Sequence, residues 1–104
     1  MKQEVIKIIE EFISDTTTQW TKDEFYICVN KQLEHKNIGL TLCEYVDVED
    51  NPVCYTLYIY NIDSRTTIED METHKGVTSN DFNYLAECYN KIRDKIFEIP
   101  SIMK

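Results

Sequence analysis

WTKDEFYICVNKQLEHKNIG, residues 20–39, is the stretch whose reading decides the fold. Its opening, W20 to F25, is matched by V77 to F82, VTSNDF: an apolar residue, a threonine, two polar residues, an acid and a phenylalanine. Both have the form of a capping box. Thr21 would accept from the amide of Glu24 while the Glu24 carboxylate reaches back, with Trp20 and Phe25 at the staple positions; Val77, Thr78, Asp81 and Phe82 repeat the device. At 100° per residue Phe25, Cys28, Val29 and Leu33 then share one side, so the expected element is a second helix, ending near Asn37 or Gly39.

Working outward, residues before Trp20 predict a first helix with Val5, Ile6, Ile8, Ile9, Phe12 and Ile13 on one face. Residues after Thr78 predict a long C-terminal helix carrying Phe82, Leu85, Ala86, Tyr89, Ile92 and Ile96, stopped by Pro100. Between these helices, GLTLCEYVDV and VCYTLYIY are β-branched and aromatic, and EDNP joins them as a turn, which reads as an antiparallel hairpin. With Val48 opposite Val53, one face carries Leu42, Glu44, Val46, Tyr55, Leu57 and Ile59; a turn one residue different brings Cys43 and Tyr45 onto it instead. Residues 61–76 read as a third strand around Thr66 to Met71, a short helix or an ordered loop. The expected fold class is therefore α+β: two N-terminal helices, an antiparallel β-hairpin or three-stranded sheet, and a long C-terminal helix, in the order α-α-β-β-(β)-α. Residues 1–104 form a single compact domain in this reading. Two misfits stand out on the wheels. Arg93 falls on an apolar arc and is expected to lie against the sheet and pair with an acid there, Glu44 if Val48 opposes Val53, whereas Ile27 points out among polar residues and is expected to be covered by the first helix or else to be a contact residue.

The chemistry is sparse. Cys28, Cys43, Cys54 and Cys88 form no C-x-x-C pair and have no histidine at ligand spacing, so they read as small apolar core residues in a reducing cytosol, and no metal or cofactor is expected. His35 and His74 lie in polar surroundings and read as surface residues. Asp47-x-Glu49-x-Asn51 resembles half a calcium loop, but Pro52 stands where the glycine belongs. No phosphate loop, H-E-x-x-H or nucleophile elbow is present, and the expectation is a protein without enzymatic activity. No apolar run approaches the roughly 18 residues of a membrane span, and Glu4, Glu10 and Glu11 interrupt any signal-peptide core; the expected address is the cytoplasm. A bias to isoleucine and to lysine over arginine points to a low-GC bacterial host or its phage.

Charge is the one feature above background. The net charge is −8, and residues 44–72 hold eight acids against Arg65 alone. The expected partner-binding residues are Glu44, Asp47, Glu49, Asp50, Asp63, Glu69, Asp70 and Glu72, with Tyr45, Tyr58 and Tyr60 interleaved for contact area. Such a surface repels nucleic acid and suits a basic protein groove that holds it. Composition and size are those of small acidic inhibitors, among them phage anti-CRISPR and other anti-defence proteins that mimic nucleic acid. The alternatives are a nuclease-toxin immunity protein and a homodimeric structural or adaptor protein joined through a strand edge.

Overall fold

The computed structural model describes residues 1–23, 27–77 and 79–102. Among these residues two α-helices, α1 (Gln3–Ser14) and α2 (Ser79–Ile102), flank five strands: β1 (Thr21–Lys22), β2 (Cys28–Leu33), β3 (Ile38–Val46), β4 (Pro52–Asn61) and β5 (Thr67–His74), with one 3-10 turn at Glu34–Lys36. The strands pair in chain order, each antiparallel to the next. This α-β5-α arrangement corrects the expectation of two N-terminal helices followed by a two- or three-stranded sheet.

The correction lies in the stretch that opened the reading. Thr21 caps no helix: it sits in β1 opposite Asn30, and its hydroxyl donates to the Asn30 carbonyl at 3.3 Å. Glu24 and Phe25, its expected partners, lie outside the described residues, as does Thr78. In β2 the buried positions are Val29, Lys31 and Leu33, a period of two and so a strand with one face in the core. Lysine at the middle position hides that period, because V-N-K-Q-L then shows only its two apolar ends, at the i, i+4 spacing of a helix.

Lys31 tolerates burial because its ammonium closes the end of α1. It donates to the carbonyls of Phe12 and Asp15, each at 2.8 Å, and lies 3.2 Å from the Asp15 carboxylate. The C-terminal carbonyls of a helix lack intrahelical donors and carry partial negative charge, so a cation there satisfies both needs. Thr17 and Lys31 hold the Asp15 carboxyl down at about 2, below the usual carboxylate range, the Thr17 hydrogen bond being the largest cause. Trp20, expected as a staple to Phe25, instead packs beside Phe12 with the Lys31 ammonium 5.5 Å from its ring centre.

One face of the sheet forms the core. Leu40, Leu42, Tyr55, Leu57 and Ile59 meet Val5, Ile9 and Phe12 of α1 and Phe82, Leu85, Tyr89 and Ile92 of α2. The hairpin pairs Leu42 with Leu57, Glu44 with Tyr55 and Tyr45 with Cys54. This register differs by two residues from the Val48–Val53 pairing. A shift of two preserves the faces, so Leu42, Glu44, Tyr55, Leu57 and Ile59 do line one side, while Val46 and Val48 are exposed at the hairpin end. Residues 67–74 take the strand option among the three foreseen for 61–76. Arg93 lies half-buried over the Tyr89 ring, 5.9 Å from its centre, and Ile27 is exposed in the bend before β2. Helix α2 continues to Ile102, two residues beyond the expected stop at Pro100. Among the described residues no helix is long and apolar enough to cross a membrane.

Candidate functional site

Both helices lie on the inner face, and among the described residues no helix covers the other face of the sheet. Alternation along the strands decides what stands there: Cys28, Asn30 and Gln32 from β2; Thr41, Cys43 and Tyr45 from β3; Cys54, Thr56, Tyr58 and Tyr60 from β4; Asp70, Glu72 and His74 from β5. Tyr58 and Tyr60, two apart on one strand, stack with ring centres 5.2 Å apart and 19° between planes. Gly39 makes room for this. It pairs with Tyr60, and a β-carbon at position 39 would fall 2.3 Å from the Tyr60 Cζ, inside the ring's own volume. Gln32 donates to the Tyr60 hydroxyl at 3.2 Å, and Thr41 donates to the Asn30 side-chain oxygen at 2.6 Å. Arg65 and Ile62 close a shallow hollow of about 400 Å³ beside the two rings.

Cys28 and Cys43 stand directly opposite on β2 and β3 and are joined as a disulfide. This corrects the reading of all four cysteines as reduced core residues: the pairing of the two strands, which a helix at residues 21–37 would have forbidden, brings these two together. Cys54 and Cys88 are buried thiols. Burial pushes both thiols up from their ordinary value, and at Cys54 the Glu72 carboxylate adds to the effect.

The acids expected to act as one surface are divided by the fold. Asp47, Glu49 and Asp50 occupy the turn between β3 and β4, where an Asp47 side-chain oxygen accepts from the backbone N–H groups of Glu49 and Asn51 and Asp50 takes a left-handed conformation with φ 62°. Asp63 lies in the turn at the other end of β4, about 30 Å away for a ten-residue strand. Glu44 and Glu69 fall on the inner side. Glu44 accepts from the Tyr55 hydroxyl at 2.5 Å, and burial first, with Glu44 second, raises the Tyr55 phenol well above its usual range. Tyr89 beneath it is pushed up to about 12, again chiefly by burial. The outer face thus gathers Tyr45, Tyr58, Tyr60, Asp70 and Glu72, with Tyr58 paired to Asp70.

A cluster that the linear spacing does not reveal lies beside these residues. Cys54 pairs directly with His74 across β4 and β5, and Glu72 stands two residues before His74 on the same face. The Glu72 Oε1 is 3.8 Å from the Cys54 Sγ and 3.2 Å from the His74 Nε2. The E-x-H spacing of a strand is the only local signal, and it becomes informative once β5 is known to pair with β4. No protein family, no curated protein and no solved structure matches the chain.

Proposed function

We propose that the chain is an acidic binding module that docks the outer face of its sheet on a basic protein surface, one that ordinarily holds DNA or RNA, and so acts as an inhibitor. The observation that carries this reading is the stacked Tyr58–Tyr60 pair on the sheet face that no helix covers among the described residues, bordered by Asp70 and Glu72. Stacked rings held over Gly39 lose little side-chain freedom on docking, and carboxylates fixed on a strand keep their spacing. Asp47, Glu49 and Asp50 at the hairpin end extend the acidic border beyond Tyr45. Glu44 and Glu69, which face inward, and Asp63, at the far end, drop out of the docking surface. Charges here chiefly speed and orient association, and the tyrosines supply residence time.

Self-association through the edge of β5 is the weaker reading. Antiparallel pairing of β5 with its own copy would bring Asp70 and Glu72 against like charges, which opposes the pairing. An immunity protein for a nuclease toxin would use the same chemistry and differs only in its target. The cytoplasmic address belongs to the proposal too, and the Cys28–Cys43 disulfide bears against it, since such bonds persist mainly in oxidising compartments. Alkylation of the protein in freshly lysed cells decides: four labelled cysteines keep the cytoplasmic address, two labelled cysteines exclude a reducing one.

The functional test uses a partner captured from bacterial lysate and then purified. Reversing Asp70 and Glu72 to lysine should slow association by about tenfold or more at low salt, and duplex DNA or RNA should compete with the protein. Reversing Lys91 and Lys95 on α2 should leave the rate unchanged. Equal rates for both reversals, or a complex indifferent to nucleic acid, would sink the reading.

A further inference from the structure

We propose that Cys54, Glu72 and His74 form a binding site for zinc. The three side chains come from two paired strands and offer one thiol sulfur, one carboxylate oxygen and one imidazole nitrogen, all within 4.8 Å of one another. Zinc–sulfur bonds of about 2.3 Å and zinc–nitrogen or –oxygen bonds of about 2.0–2.1 Å set tetrahedral ligand separations of roughly 3.3–3.6 Å. Two of the three separations, 3.8 Å from sulfur to carboxylate and 3.2 Å from carboxylate to imidazole, already lie near those edges, and the third, from sulfur to imidazole, lies within 4.8 Å and closes by side-chain rotation. The donor set selects the metal class: thiolate and imidazole suit zinc and its neighbours, whereas calcium and magnesium take oxygen ligands.

The backbone supports the geometry. Cys54 and His74 are directly paired, so their β-carbons are held a few ångströms apart by the ladder of β4 and β5. Cys54 is buried and Glu72 and His74 are exposed, which leaves the fourth tetrahedral position open to water on the solvent side. On binding, the Cys54 sulfur exchanges its proton for the metal and the proton passes to solvent; no electron is transferred. Sequence spacing alone argues against zinc in this chain, because the ligand pair is made by strand pairing and not by a C-x-x-C or H-x-x-x-H run. The site does not depend on the partner-binding reading, and since Glu72 serves both, His74 is the residue that separates them.

The test is a titration of the purified protein, without reductant so that the Cys28–Cys43 bond stays closed, with Co²⁺ as the spectroscopic stand-in. About one equivalent should produce a thiolate-to-cobalt charge-transfer band with the d–d bands of a tetrahedral site, and Zn²⁺ should displace it. Cys54→Ser should abolish the charge-transfer band, His74→Ala and Glu72→Gln should each weaken binding by about tenfold or more, and Cys88→Ser should change nothing. Far-UV circular dichroism checks that Cys54→Ser folds; His74→Ala and Glu72→Gln alter exposed side chains and carry the test if it does not. Absence of the band in the wild-type protein, its persistence in Cys54→Ser, or undiminished binding by His74→Ala would overturn the site.

Discussion

On the inner face of the sheet, Lys31, Glu44, Tyr55 and Thr73 are polar groups among leucines and isoleucines, and each is committed to a partner inside the fold. Lys31 holds the end of α1, the Tyr55 hydroxyl donates to Glu44, and the Thr73 hydroxyl donates to the Tyr55 carbonyl at 3.0 Å. On the outer face, Tyr45, Tyr58, Asp70, Glu72 and His74 are equally polar but reach solvent. The difference separates polar side chains enclosed by the fold from those that solvent reaches. It also explains why Glu44, one of the acids expected to bind a partner, is structural: a carboxylate on the core side of a strand is retained only with a donor at hand.

Lys31→Ala tests the inner face most severely. The substitution removes a charged donor from two helix-end carbonyls, at about 1.5–3 kcal/mol for each hydrogen bond, so a loss of about 3–5 kcal/mol is expected. Urea unfolding measures it, and a loss under about 1 kcal/mol would mean that Lys31 is incidental to α1. Acid sharpens the same point. The folded-state pKa of Asp15, about 2, lies below its ordinary 3.8, so the unfolded chain binds more protons between those values. The contribution of Asp15 is present above pH 3.8 and is lost as pH falls toward 2; in Asp15→Asn the unfolding midpoint should lose that part of its pH dependence.

On the outer face the largest effect should come from opening the Cys28–Cys43 bond. A sequence separation of 15 corresponds to about 3 kcal/mol of chain entropy, and thermal melts with and without reductant report it. The inner-face substitution Tyr55→Phe should cost less, about 1.5–3 kcal/mol, because it removes one hydrogen bond to a carboxylate and keeps the ring packed between Phe82 and Tyr89. If reduction proves harmless while Tyr55→Phe unfolds the chain, the outer face contributes nothing to stability and the comparison fails on that side.

Much of this fold is readable in the sequence where apolar residues keep one period without interruption. The α1 face of Val5, Ile9 and Phe12 and the α2 face through Ile92 follow that pattern, whereas the hairpin is legible as two strands and a turn but not in which face turns inward. Reading fails where one polar residue occupies a core position. Lys31 breaks the alternation of β2 and lets a helical spacing through, and with β2 misread neither the Cys28–Cys43 pairing nor the five-stranded order can be foreseen. The candidate site was legible in its residue types, with Tyr58, Tyr60, Asp70 and Glu72 all marked, but not in its division. Whether a carboxylate points at solvent or at Tyr55 depends on strand parity, and composition carries no parity. The Cys54–His74 pair depends on register in the same way.

The smallest expected effect returns to the stretch that decides the fold. A threonine at a helix N-cap contributes about 0.5–2 kcal/mol, so a capping Thr21 would be sensitive to alanine. In β1 the same residue is exposed on a two-residue edge strand, and its hydroxyl makes a 3.3 Å hydrogen bond to a carbonyl beside water. Water replaces such a partner at little net cost, and a surface substitution of this kind stays within about 0.5 kcal/mol. Thr21→Ala should therefore shift the urea midpoint little, while Lys31→Ala in the neighbouring strand shifts it strongly. The reverse order would restore a helix at residues 21–37, because only there does Thr21 become a cap and Lys31 a solvated side chain.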